Sequence, residues 1–428
     1  MGVVVMVDVY GPTSRLAQGY STAGYAIARV RSTIEVPPMY RDSADEAALG
    51  LELAADITHI DFETTLAAVA ALDPVAVVVG GESGVELADR LAETLGLPGN
   101  GTEHSAARRD KFKMIELLAR QGLRATDHIL VTDEHQLHEW HTEIGGPVVV
   151  KPARSAGNDN VHFCHSAAES VGAYRTVRAG RTLFGESNDL VVAQRFLIGG
   201  EYVVNSVSCA GIHRITDVWR YVKISANGVS DRVAAATSVD FDDPRTGALT
   251  EYAENVLDTF GIRYGPAHLE IMMTPDGPTL VEIGARLCGA DTARYAGLAW
   301  GTSQVEWSVA AFTDPARFHT MAGEPVRRRN YAAMAFLTAP RAGTLVSYPR
   351  LDEVRALPSY HDHTVVVRPG QRLHRTVSDV TEPMMIGLVH PIADVLDRDL
   401  ATVNYLDGDG FYEIVTDACD ADWGDEAI

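Results

Sequence analysis

Apolar residues follow more than one rhythm along this chain. Near the start, "GVVVMVDV" (residues 2–9) and "VAVVVG" (75–80) are continuous β-branched runs. Strands covered on both faces of a parallel sheet read this way. The second run leads through "GESG" into "VELADRLAETLG", where Val85, Leu87, Ala88, Leu91, Ala92 and Leu95 approximate a helical stripe. An α/β, Rossmann-like domain over residues 1–104 is expected. A Pro/Gly/Asn-rich connector, "LPGNGTEHS", and the helix-like "AARRDKFKMIELLARQG" follow. From about residue 128 to 285 the period changes to strands: "HILVT", "PVVVKP", "NVHFC", "LVVAQRFL", "EYVVNSVSCA", "HRITDVWRYVK", "AHLEIMM" and "TLVEIG". Helical stretches interrupt them at 133–143, 166–179 and 247–260. This order is α+β rather than repeating βα, and predicts a central domain over 105–325. Beyond it, "NYAAMAFL", "HTVVVRPG" and "MMIGLVH" predict short strands, and "PIADVLDRDLATVNYLD" a helix, in a β-rich subdomain over 326–428.

Composition narrows the function classes. At 428 residues and 46% hydrophobic content the chain has room for several packed subdomains. Its net charge of −22 excludes the concentrated basic surface that nucleic acid or an anionic membrane needs. No apolar run reaches the roughly 18 residues of a membrane span, and "MGVVVMVDVY" lacks the flanks of a signal peptide. A cytoplasmic protein is expected. Cys164, Cys209, Cys288 and Cys419 have no metal-ligand spacing and are expected as free thiols.

The stretch "HLEIMMTPDGPTLVEIGARLCG" carries the sharpest chemistry. If Pro275 to Pro278 form the tip of a hairpin centred on Asp276, then Glu270 and Glu282 lie six residues to either side. They are then directly opposed on one face, unless a bulge or asymmetric turn shifts the register. Two carboxylates about 5 Å apart repel by roughly 3 kcal/mol at an effective dielectric near 20, so a cation is needed to keep both ionised. Oxygen ligands with no Cys or multi-His set nearby suit Mg²⁺, recruited together with nucleotide phosphates. Arg286, four residues further on, can clamp a phosphoryl group or a carboxylate.

Two further stretches fit a nucleotide. "PVVVKPARSAGNDNV" ends a buried-type strand at Lys151-Pro152 and runs into a small, polar loop rich in backbone N–H groups, with Lys151 as a point charge. "LVVAQRFLIGGEYVVNSV" sets two apolar strands around Gly199-Gly200, a slot that fits an adenine, with Glu201 placed to accept from ribose hydroxyls.

Together with "RRDKFKM", these motifs resemble the ATP-grasp superfamily, and within it the carboxylate–amine ligases that join amino acids into dipeptides. The resemblance covers residues 75–290 and implies an ATP-grasp fold: the N-terminal Rossmann-like domain, a central ATP-grasp domain with a phosphate-loop lid at 147–161, and the β-rich C-terminal subdomain. It implies that Lys111 and Lys151 contact ATP phosphates, that the loop 153–160 with Ser155, Ala156 and Gly157 closes over them, and that Gln194, Arg195, Phe196 and Leu197 line the adenine slot. Backbone hydrogen bonds are expected from Arg195 and Leu197, and Glu201 is expected on the ribose. Glu270 and Glu282 would carry one or two Mg²⁺, with Mn²⁺ as an alternative ion, and Arg286 would bind the transferred phosphoryl group. The family's Glu-x-Asn-x-Arg is here Glu282-Ile283-Gly284-Ala285-Arg286, so a side-chain oxygen is missing at Gly284. In the loop, Asn160 replaces a usual glycine and tolerates a left-handed backbone.

The implied reaction is ATP-dependent amide formation: a substrate carboxylate attacks the γ-phosphate, and an amine displaces phosphate from the acyl-phosphate. His268, on the strand face of Glu270, is the candidate base. Ala290, one turn past Arg286 if a helix begins there, leaves room for a bulky amino acid, and Arg220 and Lys223 are candidates for a substrate carboxylate. Small-molecule amino acids are the expected partners, and a homodimer is an assembly left open. His135, His138 and His141 read as a solvated helix face rather than a metal set. His361-Asp362-His363 reads as a loop with no complete zinc set. A purine-pathway-like or biotin carboxylase-like ligase, and a nucleotide-binding regulator with impaired catalysis, are the rival expectations.

Overall fold

A computed structural model describes residues 2–44 and 46–415; Cys419 and the acidic end lie outside the described residues. The chain forms two compact units. One takes in the chain up to Val218, Asp240–Arg294 and Thr302–Val326; the other takes in Trp219–Val239, Tyr295–Gly301 and the chain from Arg327. Among the described residues no helix is long and apolar enough to cross a membrane.

The first unit begins with the expected parallel sheet. Its strands run in the order Ala55–Thr58, Ala26–Arg31, Val3–Val7, Pro74–Val79, all parallel. Val4, Met6, Ile27 and Val78 pack with Leu16, Ala17 and Tyr20 of the helix Ser14–Thr22. Covering by helices explains why these strands read as unbroken apolar runs rather than alternating ones.

A four-stranded antiparallel sheet follows, ordered His128–Val131, Val191–Arg195, Val148–Pro152, His162–Cys164. Val148, Val150, Val191 and Ala193 enter one core with Leu137 of the helix Glu134–Ile144 and Ala173 and Val177 of the helix Ala167–Ala179. Strand alternation therefore turns Val149, Lys151, Val192 and Gln194 to the other face. The helix expected over "AARRDKFKMIELLARQG" is broken. A 3₁₀ turn, Ser105–Arg108, precedes the α-helix Lys111–Arg120, because the Asp110 side chain accepts from the Phe112 and Lys113 amides at 3.1 Å and caps a new start. Lys111 thus opens a helix.

The unit's third layer pairs Gly277–Gly284, Gly265–Thr274, Gly200–Cys209 and the beginning of Ile212–Ala226 in antiparallel order. The strands flanking Gly199-Gly200 are consequently not a hairpin: Val191–Arg195 belongs to the second sheet and Gly200–Cys209 to the third. Gly199 makes the crossing possible, since a Cβ there would lie 2.2 Å from the Met273 carbonyl oxygen.

In the second unit, the end of Ile212–Ala226 pairs with Val229–Ser238, followed by Tyr331–Phe336, Met384–His390 and Tyr360–Val365. A small sheet of Arg372–Leu373, Gly343–Ser347 and Glu413–Val415 and the helix Ala393–Leu406 complete it. The expected loop around His361 is a strand; the Tyr360 hydroxyl sits 2.7 Å from His363 Nδ1, and the Tyr295 hydroxyl donates to Asp362 at 2.6 Å. Of the three helix histidines, His135 is open to solvent but His141 is buried against the Ser170 hydroxyl. Cys164, Cys209 and Cys288 are free and buried.

Candidate active site

The hairpin opposes its two acids by a different route from the one the sequence suggests. Thr274 pairs with Gly277, so the turn holds only Pro275 and Asp276 and is centred between them. Pairing continues as Met273–Pro278, Met272–Thr279 and Ile271–Leu280. Extended unchanged, that register would set Glu270 against Val281 and turn Glu282 to the far face. A bulge at Val281 moves the register by one, and Glu270 stands opposite Glu282.

Positive charge converges on this pair. Lys111 Nζ lies 2.9 Å from Glu282 Oε2 and donates to the Ser155 carbonyl at 2.7 Å, while its backbone amide donates to the Ala153 carbonyl. Lys151 is 5% exposed. Burial and the nearby Lys111 charge push its ammonium down to about 8, against the upward pull of Glu282, Glu270 and Glu201. Burial alone would raise the Glu282 carboxyl, but Lys111, Lys151 and Arg286 bring it down to about 2. Glu282 is therefore a standing anion, held by cations from two other elements.

Arg286 donates from Nε to Glu82 Oε2 at 3.0 Å and from Nη1 to the Leu287 carbonyl. Glu82 is a site residue the sequence reading passed over. It lies in "GESG", at the carboxyl end of the parallel strand Pro74–Val79, where open α/β sheets present ligand groups. The glycines let that turn press against the first strand: a Cβ on Gly81 would meet the Asp8 carbonyl oxygen, and one on Gly84 the Val7 oxygen, both at 2.7 Å. Glu82 also fills the neighbourhood of Gly284, where an added Cβ would be 3.2 Å from Glu82 Oε2 and 3.4 Å from Arg286 Cζ. The space beside the missing asparagine is taken by a carboxylate–guanidinium pair.

The loop after Lys151 is a built turn. Gly157, Asn158 and Asn160 adopt φ of 63°, 58° and 51°, so the asparagine at 160 does take the left-handed backbone expected of it. Asp159 staples the loop, accepting from the Ser155 hydroxyl at 2.6 Å, the Leu183 amide at 3.1 Å and Asn160 Nδ2 at 2.8 Å. Ala156 packs against Tyr10, Tyr40 and Phe184.

In the stretch expected to line an adenine, Gln194 shares a sheet face with Lys151, and its buried Nε2 has no protein partner. Such an orphan fits a site that a polar ligand completes. Arg195 departs from expectation: its amide donates to the Asp127 carbonyl at 2.9 Å, its carbonyl already accepts from Thr126, and its side chain pairs with Asp127. The Phe196 amide is likewise used, by the Pro147 carbonyl. Leu197 lies past the strand's end, and Glu201 is buried on the facing sheet, opposite Met272.

His268 is not placed as a free base. Its Nδ1 lies 3.1 Å from Asn205 Oδ1 and its Nε2 3.4 Å from Glu270 Oε1. Burial opposes a charge on the ring, but Cys288 and Glu270 outweigh it and raise the imidazole to about 10, while the Cys288 thiol is drawn down. Each ring nitrogen thus faces an oxygen, of Asn205 on one side and of Glu270 on the other.

One expected residue stands differently from its expectation, and two belong to the other unit. No helix starts at Arg286; the next one is Thr292–Trp300, and Ala290 sits in the intervening loop, exposed, at φ 52°. Neighbouring Asp291 is also left-handed and is gripped by Arg15. Arg220 and Lys223 belong to the second unit, where Arg220 is exposed and Lys223 is paired with Asp231 at 2.7 Å.

A buried lysine on one sheet, another at the start of the helix Lys111–Arg120 and opposed glutamates on a further sheet fit a nucleotide-dependent ligase, and the chain belongs to the ATP-grasp family. The ATP-grasp domain model matches residues 144–294. Dapdiamide A synthase of Enterobacter agglomerans is 31% identical over 96% of this chain and 97% of its own length. The L-arginine-specific L-amino acid ligase of Bacillus subtilis is 22% identical over 65% of this chain and 66% of its own. Among solved structures, the L-amino acid ligase from Bacillus licheniformis shares the fold with a TM-score of 0.78 at 18% identity, over 97% of this chain and 99% of that one. The protein is an ATP-dependent carboxylate–amine ligase.

ATP and Mg²⁺ are the family's nucleotide and ion, and the residues present fit both. The orphaned Gln194 amide and the buried lysines suit the nucleotide. The opposed carboxylates suit a hard cation, and no group of three His, Cys, Asp or Glu among the described residues forms a closed metal cage. An ion held by two carboxylates and completed by phosphate oxygens is the usual Mg²⁺ arrangement.

Proposed function

We propose that the protein joins the carboxylate of one amino acid, or a related acid, to the amine of another through an acyl-phosphate, releasing ADP and phosphate. Glu270 and Glu282 hold the ion, Mg²⁺ or Mn²⁺; with no oxygen on Gly284 the site is built for one tightly held ion, and a second would rest on phosphate and water. Bound there, the ion offsets charge on the transferring phosphoryl group. Lys111 and Lys151 hold the phosphates, and Arg286 grips the transferred group and then the acyl-phosphate. Gln194 to Leu197 line the adenine slot, with Leu197 rather than the Arg195 amide as its backbone contact. Glu201 takes the ribose. The loop 153–160 closes over the phosphates and keeps water from the intermediate. Glu82, beside Arg286, is placed to receive a substrate ammonium. His268 serves Glu270 as a donor rather than the amine as a base. The division into residues 1–104, 105–325 and 326–428 goes with this reading, as does a cytoplasmic setting, where thiols stay reduced.

The observation that carries the proposal is the convergence of Lys111, Lys151 and Arg286 on Glu282 opposite Glu270. Incubation with ATP, Mg²⁺ and pairs of amino acids, arginine included because a relative is named for it, should release phosphate and a product with the mass of the pair less water. Phosphate release with bicarbonate alone would sink the proposal.

A further inference from the structure

Behind Glu270 runs a line of buried polar side chains that the reaction does not use. Asp217 is 0% exposed, Asn205 1% and His268 4%. They lie on adjacent strands, with Asn205 opposite His268 in the register. Asn205 Nδ2 donates to Asp217 Oδ1 at 2.6 Å, and the Thr216 hydroxyl donates to Asp217 Oδ2 at 2.7 Å. Asn205 Oδ1 faces His268 Nδ1 at 3.1 Å, and His268 Nε2 faces Glu270 Oε1 at 3.4 Å. Burying such a set costs more than apolar residues of the same volume would. Stability does not account for it.

The donors and acceptors have one consistent order. A carboxylate only accepts, so Asp217 obliges Asn205 to present its Nδ2 on that side and its oxygen to the ring. The ring then donates from Nδ1 and is held with Nε2 toward Glu270, with the Cys288 thiol as a further neighbour. We propose that Asp217 is a positioning residue of the ligase site, acting through Asn205 and His268 to hold the Glu270 carboxylate in its ion-binding orientation. The proposal rests on the metal role of Glu270 given above. Partners behind a ligand of this kind are typically worth about 10- to 100-fold in metal affinity.

Asp217→Asn preserves shape but lets the two facing amides turn over together, presenting Asn205 Nδ2 to the ring. The double exchange Asn205→Asp with Asp217→Asn restores an oxygen facing His268, with the new amide donating to it and still accepting from Thr216. The measurement is calorimetric binding of ADP with Mg²⁺ and with EDTA, which needs no turnover, alongside melting temperature. Asp217→Asn should weaken the Mg²⁺-dependent part of ADP binding about tenfold, leave ADP binding in EDTA unchanged, and raise the Mg²⁺ concentration needed for half-maximal kcat. The double exchange should recover the Mg²⁺ effect. Glu270→Gln separates the two ideas. If it keeps the Mg²⁺ effect, the metal reading of Glu270 fails. If it loses the effect while Asp217→Asn keeps it, the positioning role alone is overturned. Should Asp217→Asn melt early, the double exchange decides: a folded double variant that stays tenfold weak overturns the proposal.

Discussion

Both units bury carboxylates, and they do so with opposite results. In the first, burial of Glu282 is outweighed by Lys111, Lys151 and Arg286, and the carboxyl is held down to about 2. In the second, burial of Asp407 is opposed only by hydrogen bonds from Tyr412 and Thr338 and by the more distant Arg232, and its carboxyl rises to about 6. Glu382 is buried beside Asp379 and Asp407 with Arg232 as its cation, and rises well above its ordinary value. Desolvation acts the same way on all three; the supply of cations decides the sign. Where three cations, two of them from other elements, meet one anion, the cluster is poised to exchange partners with an anionic ligand. Where one arginine serves several acids, the acids relax toward neutrality and serve the fold.

The largest break in this contrast is Glu282→Gln. It removes the negative charge proposed to hold the ion and leaves Lys111 and Lys151 without their shared anion. Ligase turnover should fall by about 10³-fold, the scale of removing an electrostatic contact that acts on the transferring group. Circular dichroism should stay unchanged, because the residue lies on the slot-facing side of its sheet. A loss under tenfold would show that the acid is not part of the ion site.

Lys151 gives the next effect. Its lowered value means that the free enzyme loses this positive charge as pH rises through about 8, where an ordinary lysine would keep it. The kcat/KM for ATP should therefore fall about tenfold per pH unit above 8. In Glu282→Gln, where one of the influences holding Lys151 protonated is gone, the break should move to lower pH. Lys151→Arg should abolish it, whatever its effect on rate.

Much of this cluster was readable as sequence because it depends on local order. The strand ending in Lys151-Pro152, the left-handed loop residues and the two acids astride a Pro-Asp-Gly-Pro turn all announce themselves. The bulge at Val281 does not, since a one-residue insertion leaves no compositional trace; the expected pairing arose with a misplaced turn centre. Glu82 reaches Arg286 across 204 positions, visible only as an acid in a glycine-rich turn after a parallel strand. Asn205 and Asp217 carry no signal in the sequence; a hydrogen bond between neighbouring strands joins them. The strand Val229–Ser238 was passed over because its Ala-Ala-Ala centre carries little β signal. Ala290 lies one turn past Arg286 only if a helix begins there, and the left-handed Ala290 and Asp291 rule that out.

Gly284 tests how tightly the cation-rich cluster is closed. Restoring the family residue with Gly284→Asn would intuitively add an ion ligand. The space, however, is held by Glu82 and Arg286, with an added Cβ only 3.2 Å from the Glu82 carboxylate. The asparagine should displace that pair and lower kcat/KM for the amino-acid substrate by about 10- to 100-fold, as small misplacements of positioning groups do. A gain in activity would mean that the glycine is a defect rather than an accommodation.

The smallest effect belongs to the cation-poor side. Asp407 has a folded-state value of about 6 against an ordinary 3.8, so the folded chain binds its proton more readily than the unfolded chain does. The stability this gives is fully present below 3.8 and is lost as pH rises through 6. Allowing for partial solvent access, about 1–2 kcal/mol should disappear between pH 4 and pH 7. Asp407→Asn cannot titrate. It will lose one of the two hydrogen bonds the carboxylate accepts, so its stability should be lower at every pH, but the difference from the parent chain should shrink as pH rises from 4 to 7. Urea titrations at those two limits measure it. A difference that stays constant would mean that Asp407 is already ionised at pH 4, and that the second unit, like the first, finds enough positive charge to keep its buried acids as anions.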